Sequence, residues 1–92
     1  MKVQVRVFSY LREYLTVEEG ANHEIELELP SGATLRDVFI HLGIDRYFEE
    51  DIFGGDVGNI FQVLVNQQAV NTYSHLLQDG DSVVMFPPMS GG

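Results

Sequence analysis

The residues best suited to chemistry stand at the end of the chain, in Met89-Ser90-Gly91-Gly92, a thin tail whose last group is the carboxyl of Gly92. An α-carboxyl has a pKa of about 3.5, so at neutral pH it is a carboxylate. Its carbon is electron-rich and would have to expel oxide, so a nucleophile cannot displace it directly. Its oxygens can themselves attack a phosphoryl group. Neither glycine carries a Cβ, so the tail can thread a narrow channel and bend inside it. Pro87 and Pro88 cannot donate to a sheet ladder; they end the last strand and are expected to hold the base of the tail away from the body. Alone, a Gly-Gly pair is weak, and a frayed terminus is its plain alternative.

The other chemistry-bearing residues offer less. The chain has no cysteine, which excludes a disulfide scaffold, a thiolate nucleophile and a zinc site built on sulfur. Any sulfur it handles cannot sit on a side-chain thiol. His23, His41 and His75 are scattered, without the spacing of metal ligands, so no metal site is expected. Gly54-Gly55 lacks the downstream Lys-Ser/Thr of a phosphate-binding loop, so ATP, if used, should bind a partner. Ser9, Ser31 and Ser74 read as caps and turns, and Glu49-Glu50-Asp51 as a solvated run.

Ninety-two residues suffice for one compact domain, and a 45% hydrophobic content fits a globular chain. The alternating start Met1-Lys2-Val3-Gln4-Val5-Arg6 is unlike a signal peptide, and no stretch approaches a membrane span, so a cytoplasmic protein is expected. The formal charge of −9, from 14 acidic against 5 basic residues, would be repelled by phosphate backbones and argues against nucleic-acid binding. It suits solubility or steering toward basic partner proteins. The only lysine is Lys2, so an isopeptide chain built on this protein would have one side-chain attachment point.

The elements that must position the tail follow from periodicity. Lys2 to Phe8 and His23 to Leu29 alternate as half-buried strands, with Val3, Val5, Val7 and Ile25, Leu27, Leu29 inward. Side by side, they could set Lys2 and Arg6 against Glu24, Glu26 and Glu28. Ser9 to Leu15 predicts a short helix capped by Ser9. Thr34 is expected to cap a helix over Leu35–Leu42 that presents Leu35, Val38, Phe39 and Leu42, with Asp37 in its first turn and Gly43 ending it. Residues 44–59 suggest a short helical turn and then a loop. Further strands are expected at Ile60–Asn66, Ala69-Val70 and Ser82–Phe86, giving an α+β roll in which the last strand returns beside the first.

The ending Phe86-Pro87-Pro88-Met89-Ser90-Gly91-Gly92 resembles that of the MoaD/ThiS-like ubiquitin-fold sulfur carriers, above all the small subunit of molybdopterin synthase. Leu11-Arg12-Glu13 after the opening strand, Pro30-Ser31-Gly32-Ala33-Thr34-Leu35 before the helix, and Val63-Leu64-Val65-Asn66 before a turn match as well. The resemblance covers nearly the whole chain, and the fuller 44–59 segment is its departure. It implies a ubiquitin-like β-grasp domain over residues 1–88, with a mixed sheet of about four to five strands and one main helix, and a flexible tail over 89–92. It further implies that Gly92 is adenylated and then thiocarboxylated, and that the protein is a non-catalytic cosubstrate without a cofactor. The implied partners are a ubiquitin-activating-type adenylyltransferase, which binds the ATP, and the large subunit of molybdopterin synthase. Relatives serve thiamin synthesis, tRNA thiolation or tagging of lysines on other proteins, and the tail does not separate these uses.

Such carriers dock through the open sheet face and insert the tail into the partner. If Val3, Val5 and Val7 point inward, parity sends Phe8 outward; if Val83 and Met85 point inward, Val84 and Phe86 emerge on the same face. Phe8, Phe86, Val84, Pro87 and Pro88 are therefore the expected docking residues. A core position for the two phenylalanines stays open, because strand ends often curl.

Overall fold

The structure, a computed structural model, describes residues 1–87. Expectations placed on Pro88, Met89, Ser90, Gly91 and Gly92 lie outside the described residues. Strand β1 (Lys2–Val7) buries Val3, Val5 and Val7 and turns Lys2, Gln4 and Arg6 to the other face. Strand β2 (Glu24–Glu28) pairs with it antiparallel, Lys2 opposite Glu28, Gln4 opposite Glu26 and Arg6 opposite Glu24. A one-residue slip would carry every valine to the wrong face, so burial sets the register. The expected charge pairing is partial. Lys2 Nζ lies 3.6 Å from Glu26 and Gln4 donates to Glu26 at 3.0 Å, while Arg6 reaches the Asn22 carbonyl instead.

Strands β3 (Gln62–Val65), β4 (Gln68–Ala69) and β5 (Ser82–Phe86) complete a five-stranded sheet in the order β2-β1-β5-β3-β4. The last strand does return beside the first: β5 runs parallel to β1 and antiparallel to β3. The β3–β4 turn places Asn66 and Gln67 at positive φ, as a tight two-residue hairpin requires. The Asn66 side chain fixes that turn to β5, donating to Asp81 at 2.8 Å and accepting from the Ser82 N–H at 3.0 Å.

Helix α1 (Leu35–Leu42) lies across one face of the sheet with Leu35, Val38, Phe39 and Leu42 fully buried. The Asp37 carboxylate accepts from the Thr34 N–H at 2.8 Å, holding the first turn. The leading N–H groups of Leu35 and Arg36 donate to the carbonyls of His75 and Tyr73, and the Leu42 carbonyl accepts from Thr16, so the connecting loops satisfy both helix ends. Gly43 ends the helix at φ 79, where a Cβ would run into the Thr16 side chain. The arrangement is the β-grasp roll.

Two local expectations are corrected. Ser9 is not a side-chain cap. The connection is a 3-10 helix, Ser9–Tyr14, entered with Ser9 itself at φ 61, and no side chain caps it. The chain must turn sharply off β1 there, and a left-handed residue does this in one step. Residues 44–59 are not mainly loop. Three 3-10 turns, Ile44–Tyr47, Ile52–Gly54 and Val57–Asn59, bury Ile44, Ile52 and Val57. Asp51 accepts from the Phe53 N–H at 3.0 Å, so one member of the acidic run is a cap rather than merely solvated. Phe53 and Phe48 join Phe39, Phe61 and Tyr73 in an aromatic cluster beside α1, its contacts edge-to-face except for the tilted Phe39–Phe61 pair.

Candidate docking face at the base of the tail

Parallel pairing of β1 and β5 sets Val7 level with Met85, so the next residues of the two strands, Phe8 and Phe86, meet side by side. Val83 and Met85 are fully buried beneath the sheet, which sends Val84 and Phe86 to the open face. The Phe8 and Phe86 rings stack with centroids 4.9 Å apart and planes 13° from parallel. Such a pair adds about 0.5–1.5 kcal/mol beyond its buried area, which fixes both rings in place. Phe8 remains 38% exposed and Phe86 is half-buried, so the core position left open by strand curl does not occur.

One row further in, Arg6 of β1, Val84 of β5 and Leu64 of β3 stand in register across three strands, with Ala69 of β4 beyond. The Arg6 guanidinium lies 5.7 Å from the centre of the Phe8 ring, a cationic rim to an apolar surface. The face thus carries Phe8, Phe86, Val84 and Leu64 contiguously, bounded by Arg6 and Gln62. Phe8 is exposed and Phe86, Val84 and Leu64 are half-buried, so the face offers a small apolar patch as a candidate contact area. Pro87 follows Phe86 directly but is buried, so it anchors the chain to the body and presents no side chain to a partner.

Leu64 and Arg6 were not among the expected docking residues. Leu64 alternates with buried Val63 and Val65, so its parity was legible, but its place beside Val84 depends on the β3–β5 pairing. On the opposite side, Tyr73 is buried with its hydroxyl unpartnered among the described residues. Burial, with the nearby Asp51 charge, pushes its pKa up to about 12. His23 contacts Arg12 and Glu19 at the surface. Among the described residues no group of three or more His, Cys, Asp or Glu could hold a metal ion, and no helix is long and apolar enough to cross a membrane.

A model of the ThiS family matches residues 5–92, a span that takes in the candidate docking face and the Gly-Gly ending. The chain belongs to the ThiS family. It is similar to a Pyrococcus furiosus protein assigned as molybdopterin converting factor subunit 1, at 33% identity over 96% of this chain and 98% of that one, with a TM-score of 0.67. It is also similar to small archaeal modifier protein 1 of Methanosarcina acetivorans, at 27% identity over 99% and 96%, TM-score 0.63. A chain of the complex of subunits 1 and 2 of molybdopterin-converting factor from Helicobacter pylori 26695 shares the fold, at 19% identity over the full length of both chains, TM-score 0.53. A search of curated proteins found no match. The mixed five-stranded sheet and main helix of this chain match these ubiquitin-like β-grasp neighbours.

Proposed function

We propose that this protein is a sulfur carrier for molybdopterin synthesis, with the carboxyl of Gly92 as its working group. The observation that carries the reading is the stacked Phe8–Phe86 pair on the open sheet face, immediately before Pro87 and the Gly-Gly ending. A partner that receives the tail must also touch that face, so binding and chemistry share one end of the molecule. Phe8, Phe86, Val84, Leu64 and Arg6 form the docking surface. Membership of the ThiS family supports a carrier role, and the 33% identity to the Pyrococcus furiosus subunit 1 favours the molybdopterin pathway over the others.

The chemistry proceeds in two steps, each by covalent activation. An oxygen of the Gly92 carboxylate attacks the α-phosphate of ATP held by a ubiquitin-activating-type adenylyltransferase; pyrophosphate leaves and an acyl-adenylate forms. Hydrosulfide then attacks the acyl carbon and AMP leaves, giving the thiocarboxylate directly; where the nucleophile is a donor persulfide, AMP leaves to give an acyl disulfide, and a thiol reduces it to the thiocarboxylate and a mixed disulfide. The large synthase subunit next receives the tail and passes the sulfur to a pterin precursor. The protein is a cosubstrate throughout, and Pro88, Met89, Ser90 and Gly91 supply reach. In reconstitution with ATP, a sulfur donor and the activating enzyme, the C-terminal peptide should exchange one oxygen for sulfur. A chain extended by one alanine after Gly92 should fold normally and gain none. Sulfur on the untrimmed extended chain, or none on the native chain beside an enzyme active on another carrier, would defeat the reading.

The likeness to the Methanosarcina modifier protein favours a second use of the same carboxyl. In that reading a lysine amine of a target protein displaces AMP and an isopeptide bond forms.

A further inference from the structure

A protein whose own carboxyl becomes an acyl donor is exposed to attack by its own amines, and this chain holds very few. Lys2 is the only lysine. The other primary amine in the structure, on Met1, is engaged: it donates to the Leu29 carbonyl at 2.7 Å and lies 3.8 Å from the Glu28 carboxylate, while the Met1 carbonyl accepts from the Leu29 N–H at 2.8 Å. The Met1 side chain is only 9% exposed. Lys2 contrasts with it. Its backbone is pinned, N–H to Asp79 at 2.7 Å and carbonyl to the Gly80 N–H at 2.8 Å, but its side chain is 65% exposed. Its ion-pair partner is Glu26 at 3.6 Å, a loose pair between exposed groups that holds the ammonium weakly.

The topology decides which Gly92 can meet it. Lys2 opens β1 and Phe86 closes β5, and the two strands are parallel, so lysine and tail base stand at opposite ends of the sheet. The strand between them spans about 20 Å. The chain from Pro88 to Gly92 reaches about 17 Å fully extended. It would first have to reverse direction, and a turn consumes most of that reach, leaving it short of Lys2 even with the lysine arm added.

We propose that Lys2 is the single position at which the activated Gly92 of a second copy is attached, so that self-conjugation gives unbranched head-to-tail chains. The proposal rests on the reading of Gly92 as an activated carboxyl. The step balances without redox chemistry. ATP supplies the acyl-adenylate; the Lys2 Nζ of another copy, losing a proton, attacks the acyl carbon; the N–C bond forms, the C–O bond to AMP breaks, and AMP departs. Each acceptor keeps its own tail and its Phe8–Phe86 face at the far end, free to be activated and extended in turn. Where a sulfur donor is scarce, the amine becomes the competing nucleophile.

Two arms with one readout test this. In the first, the full chain is prepared with Gly92 as a mercaptoethanesulfonate thioester and mixed with unmodified chain, which supplies an acyl donor without any enzyme. In the second, unmodified chain is incubated with ATP and the activating enzyme and no sulfur donor. Intact mass and peptide mapping should show dimers and longer chains joined Gly92 to Lys2 in both arms. They should fall to background in Lys2→Arg, with its circular dichroism and its ATP–pyrophosphate exchange on the activating enzyme unchanged. Linkage at Met1 or at a hydroxyl, a cyclised monomer, dimers persisting in Lys2→Arg, or no adduct in the thioester arm would overturn the proposal. Lys2-linked chains from the thioester with no ATP–pyrophosphate exchange in the enzymatic arm would uphold the Lys2 assignment and bring down the carboxyl-activation reading instead.

Discussion

The two faces of the sheet are built from the same strands and differ in burial, and in the proposed reading they have opposite tasks. On the helix side, Val3, Val5, Val7, Val63, Val83 and Met85 are buried under α1 and the 44–59 turns. On the open side, Arg6, Phe8, Val84 and Phe86 stand between them in sequence and face outward. Because side chains alternate along a strand, one residue in two can serve folding while its neighbour serves a partner. The closed face is crowded on every side, so a truncation there leaves a cavity; the open face has water above it, so a truncation leaves a shallower surface. Mutations on the two faces should therefore separate stability from recognition.

The largest separation is expected at Phe39, the largest fully buried side chain, which touches Phe53, Phe61 and Tyr73. Phe39→Ala should cost about 3–5 kcal/mol of stability, a large part of what a domain this size has. Urea unfolding should show the midpoint collapse, whereas the residual folded fraction binds partners normally. Phe86→Ala should do the reverse. An aromatic anchor buried at an interface is worth about 2 kcal/mol, or roughly thirtyfold in affinity. Calorimetric titration with the large synthase subunit should register that loss, with unfolding changed by less than Phe39→Ala changes it. A strongly lowered melting temperature with unchanged affinity would reverse the assignment of faces.

A smaller effect sharpens the closed side. The Tyr73 pKa is pushed up to about 12 because burial, and then the Asp51 charge, disfavour the phenolate. The unfolded chain releases that proton near pH 10 while the folded one keeps it. Stability from this source is therefore complete below about pH 10 and is lost as pH rises toward about 12. Unfolding measured across that window should fall by about 1–2 kcal/mol in the native chain. Tyr73→Phe should flatten the fall and leave neutral-pH stability unchanged or slightly higher, since it removes a buried hydroxyl without a partner. An equally steep fall in the variant would place the titrating group elsewhere.

Much of this was legible in the residues. Alternation in Lys2–Phe8 and Ser82–Phe86 carried the parity of the open face, and Thr34, Asp37 and Gly43 bounded the helix as they stand. What escaped was non-local or irregular. Single 3-10 turns have too short a repeat to register as helix, so Ile44, Ile52 and Val57 did not read as core. Ser9 looked like a cap because its type is right for one; the left-handed backbone that makes it a corner instead comes from the angle at which β1 meets the next element. Leu64 and Arg6 joined the face only through strand pairing, and Tyr73 acquired its environment from a segment about twenty residues earlier in the chain. The Gly92 chemistry rested on residue identity and resemblance, since it needs an exposed carboxyl and a receptive partner rather than a pocket of its own.

The most direct measurement is the intact mass of the protein purified under non-reducing conditions from the cell that makes it, followed by sequencing of the C-terminal peptide. The carrier reading predicts a population in which one oxygen of Gly92 is replaced by sulfur, lost on treatment with a thiocarboxylate-reactive reagent. Because the chain has no cysteine, no thiol can mimic that signal. A Gly92 found only as the plain carboxylate in cells actively making the cofactor, with any oxidised or sulfur-bearing mass mapping to a methionine, would contradict it.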